Sequence, residues 1–261
     1  MKLPHSLFGI NTKEAYERHL AEAGKKNEQP QEHKIITKTN IQNPEAYLIL
    51  EGKPHQSYSY PDTLVEMERS HHGKNWFQVH EELNKEQAHM LTIRQYIDFL
   101  NILRSGKVFD GKGNKIQKQK LDNILEDILT VRQPWRGEWL NADFKVQGKE
   151  LHILYTHRII NGKLQPQYTE QLDPATLREN KTPGISLDDW LNNATYQGLP
   201  PTKIKKGDLY YWAPLSDNNS VAWFGAGSSG VDLDCGGGLS TRTPGSGYVV
   251  RVRKNKTVDL I

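Results

Sequence analysis

The periodicity of the chain changes at Trp135. Before that residue, three segments carry apolar side chains at helical spacing: one follows Asn75, one follows Thr92, and one covers residues 117–130. Asn75 and Thr92 are typical N-cap residues, and Gly106 is a typical stop after the second segment. The sequence therefore predicts three helices in the middle of the chain, each with an apolar stripe that faces a core.

After Trp135 the apolar residues fall into short runs typical of strands. The dipeptide Asn161-Gly162 separates two of these runs, and it is the strongest short signal of a β-hairpin. A short helix is predicted over 187–192. Further strands are predicted over 151–155, 207–212, 220–224 and 248–253. The C-terminal part of the chain is therefore expected to be mainly β-structure.

The N-terminal residues are expected to form an extension of the main domain. A capping-box pattern predicts a helix over 11–24, and short strands are predicted over 33–39 and 46–50. We place the boundary between an extension, residues 1–60, and a main domain, residues 61–261, in the turn-forming residues that precede the first core helix.

The composition excludes several classes of protein. The chain has 261 residues, 36% of them hydrophobic and 25% charged, which is a globular rather than a disordered composition. No apolar run is long enough to span a bilayer, and no apolar segment follows Met1 as in a signal peptide. The single cysteine allows no internal disulfide, and the net charge of +3 argues against nucleic acid as the main partner.

Residues 225–247 hold eight of the 21 glycines in the chain. A segment this rich in glycine is normally a loop or a flexible linker. Here, however, Asp232 and Asp234 alternate with Val231 and Leu233, as in a strand with one buried face. We therefore expect an anchored surface rather than a linker.

The motifs in the sequence that could indicate cofactor binding or catalysis are incomplete. Gly225-Ala-Gly227-Ser-Ser-Gly230 has the GxGxxG spacing, but no helix is predicted after it to place amides against a pyrophosphate. Cys235 has no His or Lys beside it and is expected to be a small buried hydrophobe. We predict no catalytic residue and no cofactor.

Histidines are concentrated in one part of the sequence, at His71, His72, His80 and His89. Two interpretations stay open: the four residues meet at a metal ion, or each is solvated or hydrogen-bonded on its own. We favour the second, and predict no metal site.

A family resemblance follows from the order of these elements. The segment 88–99, with Thr92 at its helix start, is similar to the opening of the second helix in C-type-lectin-fold domains of the formylglycine-generating-enzyme kind, although no proline stands between Leu91 and Thr92. The segment 247–253 resembles the strand that closes such domains. The resemblance covers about residues 60–261. It implies an α+β C-type lectin fold: an antiparallel sheet, two main flanking helices and long irregular loops.

Within that fold, the C-terminal segment most resembles the variable proteins of diversity-generating retroelements, especially the archaeal and viral branch. In these proteins a reverse transcriptase mutates adenines near the 3′ end of the gene, while scaffold codons stay fixed. The resemblance implies a variable ligand-binding region over about 221–253. The implied scaffold residues are Trp212, Val221, Ala222, Trp223, Phe224, Ala226, Leu233, Cys235 and Arg242. The implied variable residues are Gly225, Gly227, Ser229, Gly230, Asp232, Asp234, Gly236, Gly237, Gly238, Thr241, Thr243 and Ser246.

The function that this resemblance implies is ligand recognition, not catalysis. The diversified surface would bind a protein or cell-surface target, and residues 1–60 would attach it to an assembly partner, for example on a virion. The calcium-dependent sugar motif of true lectins and the paired cysteines of the oxidase relatives are absent from the sequence. Three alternatives stay open: ordinary loop glycines in place of variable ones, a metal-dependent enzyme of related fold, and a structural virion or surface protein.

Overall fold

The computed structural model describes residues 43–56, 58–216 and 219–238, together with short strands at 6–7, 10–11, 249–251 and 255–257. The chain divides into two compact units, Met1–His33 and Lys34–Ile261. In the first unit, β1 (Ser6–Leu7) pairs with β2 (Ile10–Asn11) in antiparallel fashion. The helix predicted over 11–24 and the strand predicted over 33–39 lie outside the described residues, apart from Asn11 in β2.

The second unit mixes helices and strands, which confirms the α+β class. Its α-helices within the described residues are α1 (Trp76–Lys85), α2 (Ile93–Ser105), α3 (Lys118–Leu129) and α4 (Leu187–Asn193). Its strands are β3 (Tyr47–Leu50), β4 (Pro54–His55), β5 (Tyr58–Ser59), β6 (Thr63–Glu66), β7 (Arg136–Gln147), β8 (Glu150–Tyr155), β9 (Arg158–Ile160), β10 (Lys163–Gln165), β11 (Tyr168–Gln171), β12 (Lys181–Ile185), β13 (Leu209–Trp212), β14 (Ser220–Gly227), β15 (Gly230–Gly238), β16 (Val249–Arg251) and β17 (Asn255–Thr257). No helix among the described residues combines the length and the apolar character that a membrane crossing requires.

The helix starts follow from their caps. The side chains of Asn75 and Thr92 each accept a hydrogen bond from the backbone N–H three residues later. The side chain of the glutamine at that later position accepts a hydrogen bond from the backbone N–H of the cap residue, so both helices begin with a complete capping box. After α2, Gly106 has a φ of 67°, a left-handed conformation that suits glycine. All three long helices lie where the sequence predicts them.

The main sheet has eight strands, in the order β11-β8-β7-β14-β15-β13-β12, with β16 beside β7. Neighbours are antiparallel except for the parallel pairs β13–β15 and β16–β7. The sequence does not reveal the twelve-residue strand β7, because Glu138, Asn141 and Asp143 are buried in it and hide the apolar alternation.

The predicted boundary at residue 60 falls inside the second unit. Strand β3, before that boundary, pairs along its whole length with β6, after it. Leu48, Leu50, Tyr58 and Tyr60 are buried in the main core. Residues 43–60 therefore belong to the fold of the second unit rather than to an extension.

The two faces of the sheet are covered differently. One face packs on α2, α3 and α4 and forms the main core, with Tyr211, Phe224 and Leu233 on the sheet side. On the other face, α1 covers the part of β7 and β14 that carries Trp139 and Val221. The strands β13 and β15 lie beyond this second cluster, and their outward side chains form the surface described next.

Candidate ligand-binding face

Strand register lines up polar and aromatic side chains on the second face of the sheet. We define the Trp–Asp face by five residues: Tyr210, Trp212, Trp223, Asp232 and Asp234. Trp223 pairs with Asp234, which in turn pairs with Trp212, so these three residues form one row across β14, β15 and β13. The next row runs from Gly225 through Asp232 to Tyr210. Since neighbouring strands lie about 4.8 Å apart, each row crosses about 10 Å of surface.

The alternation of β15 places the two carboxylates on this face. Leu233 and Cys235 are fully buried on the core side, and Leu233 pairs with the buried Phe224. Asp232 and Asp234, which alternate with these two residues along the strand, are partly exposed. The glycine-rich segment is thus a strand held from both sides, as the alternation in the sequence predicts.

The glycines of this region are packing partners for aromatic rings. A Cβ atom at Gly225 or Gly137 would lie 2.2 or 2.7 Å from a ring carbon of Trp223, so this indole lies directly over both backbones. The rings of Trp135 and Trp223 are 4.8 Å apart between centroids. Trp223 also pairs with Asp234 in the register of the sheet and is close enough to lower the pKa of that carboxyl. These contacts hold Trp223 flat against the sheet.

Trp212 is the most exposed of the aromatic side chains on this face. It is 40% exposed, whereas Tyr211 beside it is fully buried and donates a hydrogen bond to the carbonyl of Leu177. Tyr210, on the same side as Trp212, packs against Gly230, where a Cβ atom would lie 2.9 Å from its ring. Tryptophan and tyrosine that are rigid and partly exposed are the side chains most often found at the centre of binding surfaces.

The carboxylates of the face are poorly solvated. Burial, together with the neighbouring charge of Asp234, raises the pKa of Asp232 to about 7. Its Oδ1 atom is buried and accepts no hydrogen bond. Burial also raises the pKa of Asp234, although hydrogen bonds to its carboxylate oppose this rise. In one of these bonds, the backbone N–H of Gly236 donates to Oδ1 of Asp234 at an N···O distance of 2.7 Å. Asp232 thus has an oxygen that a positively charged or hydrogen-donating group on a ligand would satisfy.

The residues predicted to vary occupy three kinds of position. Asp232, Asp234 and Gly236 are outward positions of β15, and Ser229 is exposed in the turn between β14 and β15. Gly227, Gly237 and Gly238 lie in the same two strands. Gly225 is covered by Trp223, and Gly230 has a φ of 145°, so a larger residue at either site requires adjustment of the structure. Thr241, Thr243 and Ser246 lie outside the described residues.

The predicted scaffold residues divide between the two faces. Ala222, Phe224, Leu233 and Cys235 are in the main core. Val221 packs under α1, and Ala226 is also buried. Trp212 and Trp223 lie on the outward face, and Arg242 is outside the described residues. Nothing local in the sequence marks Gly137 as a packing partner of Trp223, whereas the alternation of Tyr210 and Trp212 around Tyr211 is a signal for Tyr210.

The structure places the remaining motif residues in strands, in the core and beside a carboxylate. The GxGxxG segment forms the end of β14, a turn and the start of β15, so a strand follows it rather than a helix. Cys235 is buried, and burial raises the pKa of its thiol well above the usual value. Nε2 of His71 lies 2.9 Å from a carboxylate oxygen of Glu86. In the part of the chain that the structure describes, no group of three or more His, Cys, Asp or Glu residues is placed to hold a metal ion.

Comparisons of the chain with protein-family models, with curated proteins and with solved structures found no match.

Proposed function

We propose that this chain is a ligand-binding protein and that the Trp–Asp face is its binding surface. The observation that carries the proposal is the row of Trp223, Asp234 and Trp212 across three paired strands, with a fully buried core behind it. A rigid sheet that shows aromatic and acidic groups on one side supplies both anchors and polar specificity.

The ligand class that best suits this face is a protein or cell-surface molecule with basic groups. Trp212 and Tyr210 offer aromatic faces, on which guanidinium and ammonium groups stack favourably. Asp232 lies beside Tyr210, and Asp234 beside Trp212, on the neighbouring strand, so each ring has a carboxyl group next to it. Oδ1 of Asp232 lacks a partner. A basic side chain of the ligand would pair with this carboxylate and favour its ionised form.

At a finer level, we propose that the fold is of the C-type lectin kind and that the face is diversified by a retroelement. The α+β architecture and the alternation of buried Leu233 and Cys235 with outward Asp232 and Asp234 support this proposal. A substitution at an outward strand position leaves the core contacts intact, which is what a diversified surface needs. The covered position of Gly225 argues for a smaller variable set than the resemblance implies.

Sequencing the 3′ end of the gene across a natural population tests the diversification. We expect variation at adenine sites in the codons for outward residues such as Asp232, Asp234 and Gly236, with Leu233 and Cys235 unchanged. Uniform or scattered variation would refute diversification, while the binding proposal would still stand on the face itself.

A pair of displayed libraries tests the binding surface. One library randomises Asp232, Asp234 and Gly236; the matched control randomises the inward residues Phe224, Leu233 and Cys235. We expect folded binders to a chosen basic protein from the first library only. Equal recovery of binders from both libraries, or from neither, would show that the face is not a binding surface.

A further inference from the structure

A cavity lies between the end of α1 and β9, and it contains none of the residues of the Trp–Asp face. Its volume is about 170 Å³. The described residues that line it are His80, Asn84, Gln87, Ala88, His89, His157, Arg158 and Ile159. None of these is acidic, and most of the lining side chains are able to donate hydrogen bonds.

His80 lines this cavity, and one of its ring nitrogens has no hydrogen-bond partner. The side chain is on the inner face of α1, the residue is only 4% exposed, and its Nε2 atom has no hydrogen-bond partner. Its ring is fixed by edge contacts, with centroids 4.3 Å from the ring of Trp76 and 5.6 Å from that of His157. A buried polar atom without a partner is rare in a folded protein and calls for a ligand or an ordered water.

His157, by contrast, faces polar side chains of β7. Its Nδ1 lies 2.9 Å from Oδ1 of Asn141, and its Nε2 lies 3.3 Å from Oδ1 of Asp143. Lys145 also lies 3.6 Å from the carboxylate of Asp143. The carboxylate of Asp143 behind the cavity therefore has the ammonium group of Lys145 close to it, although its Oδ1 atom accepts no hydrogen bond.

Arg158 supplies a positive charge to the lining of the cavity. This residue is exposed on β9 and close enough to His89 to lower the pKa of that imidazole, which burial already lowers, to about 4. The end of α1 adds little opposing charge, since the carbonyls of Glu82, Leu83 and Asn84 already accept hydrogen bonds from the turn that follows the helix. The electrostatic character of the cavity is therefore that of an anion site.

We propose that this cavity binds a small organic carboxylate, held by the guanidinium of Arg158 at the mouth and, inside, by His80 in the tautomer that carries its proton on the unpaired Nε2. Arg158 is suited to a planar carboxylate because its N–H groups form a matching fork. Ala88 and Ile159 give the cavity an apolar side for the remainder of such a molecule. A cavity of about 150 Å³ accommodates benzene, so a single-ring carboxylate such as benzoate is of the right size.

The test is a titration of the whole chain with benzoate, followed by the side-chain ¹⁵N and ¹H resonances of its histidines. Benzamide, a neutral isostere, and inorganic phosphate serve as comparison ligands. We expect a saturable shift at Nε2 of His80 with benzoate, and no such shift with benzamide. An absent shift at His80, an equal response to benzamide, or tighter binding of phosphate than of benzoate would each overturn the proposal.

Two exposed substitutions on one hairpin sharpen this test. Arg158→Gln removes the proposed anchor, whereas Lys163→Gln removes a charge from the paired strand β10 without touching the cavity. Arg158→Gln should weaken benzoate binding about tenfold or more, and Lys163→Gln should leave it unchanged. If both variants weakened benzoate binding equally, the binding would be due to general electrostatic attraction, and the assigned site would be wrong.

Discussion

Two regions of the same sheet face carry tryptophan, but only one of them is covered. Under α1, Trp139 is 5% exposed, and its indole N–H donates to the carbonyl of Lys74 at 3.0 Å. In the neighbouring region, Trp212 is 40% exposed. The residue type is the same, so the presence of a covering helix decides whether the side chain stabilises the fold or is available to a ligand.

The largest effect should come from breaking the covered region. Trp76 of α1 is 1% exposed and donates a hydrogen bond to the carbonyl of Leu140 at 2.8 Å. We expect Trp76→Ala to lower the free energy of unfolding by about 3–5 kcal/mol, since it leaves a large cavity and an unpaired carbonyl. Urea denaturation measures this. A loss below about 1 kcal/mol would contradict the view that α1 is packed there by its tryptophan.

The next effect is the pH dependence of the uncovered region. In the fold the pKa of Asp232 is raised to about 7, so the folded chain holds a proton that the unfolded chain has already lost. This contribution to stability is therefore fully present below about pH 4 and is lost as the pH rises to about 7.

Asp232→Asn should accordingly stabilise the fold by on the order of 2 kcal/mol at about pH 8, and change it little at about pH 4. Urea denaturation of both chains at the two pH values measures the difference. Glu150→Gln, an exposed change on β8, is the control and should have no such dependence. Parallel stability profiles for Asp232→Asn and the original chain would refute the burial of this carboxyl.

The covered region should respond to pH in the opposite direction. The pKa of His89 is lowered to about 4, first by burial and then by Arg158. The unfolded chain then binds the extra proton first, so stability is lost as the pH falls from about 6.5 toward 4. His89→Gln should flatten this loss by on the order of 1–2 kcal/mol, measured by the same denaturation series. An unchanged acid slope would show that His89 is solvated.

Substitutions at different glycines of the uncovered region should differ in how much they destabilise the fold. At Gly225 a Cβ atom would lie 2.2 Å from the ring of Trp223 and 2.8 Å from the carbonyl of Arg136, whereas at Gly236 the nearest atom is 3.3 Å away. Gly225→Ser should therefore destabilise by about 1–3 kcal/mol, and Gly236→Ser by less than about 1 kcal/mol. Thermal melts of the two variants decide this, and equal losses would remove the distinction between packed and displayed glycines.

The smallest effect on folding should come from Trp212. Because the side chain is 40% exposed, Trp212→Ala should change the free energy of unfolding by no more than about 0.5–1 kcal/mol. Affinity for a ligand selected on the Trp–Asp face should fall by about 2 kcal/mol or more. A large loss of stability with unchanged affinity would reverse the roles of the two regions.

Local signals made the helices predictable. Asn75 and Thr92 start their helices through hydrogen bonds to a residue only three positions later in the sequence, and Gly106 ends α2 through its own left-handed conformation. The strand nature of the segment around Asp232 and Asp234 was also predictable, because alternation is a local pattern.

Pairing over long distances was not predictable. The parallel pair β13–β15 places Trp212 beside Asp234, and nothing in either strand specifies that neighbour. Likewise, the ring of His80 meets that of His157, which is remote in sequence and is not among the four histidines concentrated between His71 and His89. The concentration of histidines in the sequence therefore gave no sign of this contact or of the cavity.

The β14–β15 hairpin, which carries three of the five residues of the Trp–Asp face, lies in the interior of the sheet. Strand β15 is hydrogen-bonded to β14 on one side and to β13 on the other, so its backbone is committed in both directions. Its amide hydrogens should consequently be among the slowest in the molecule to exchange with deuterated water. A ligand that docks on such a backbone has few loops to order, and the entropic penalty of association is confined to the side chains it immobilises.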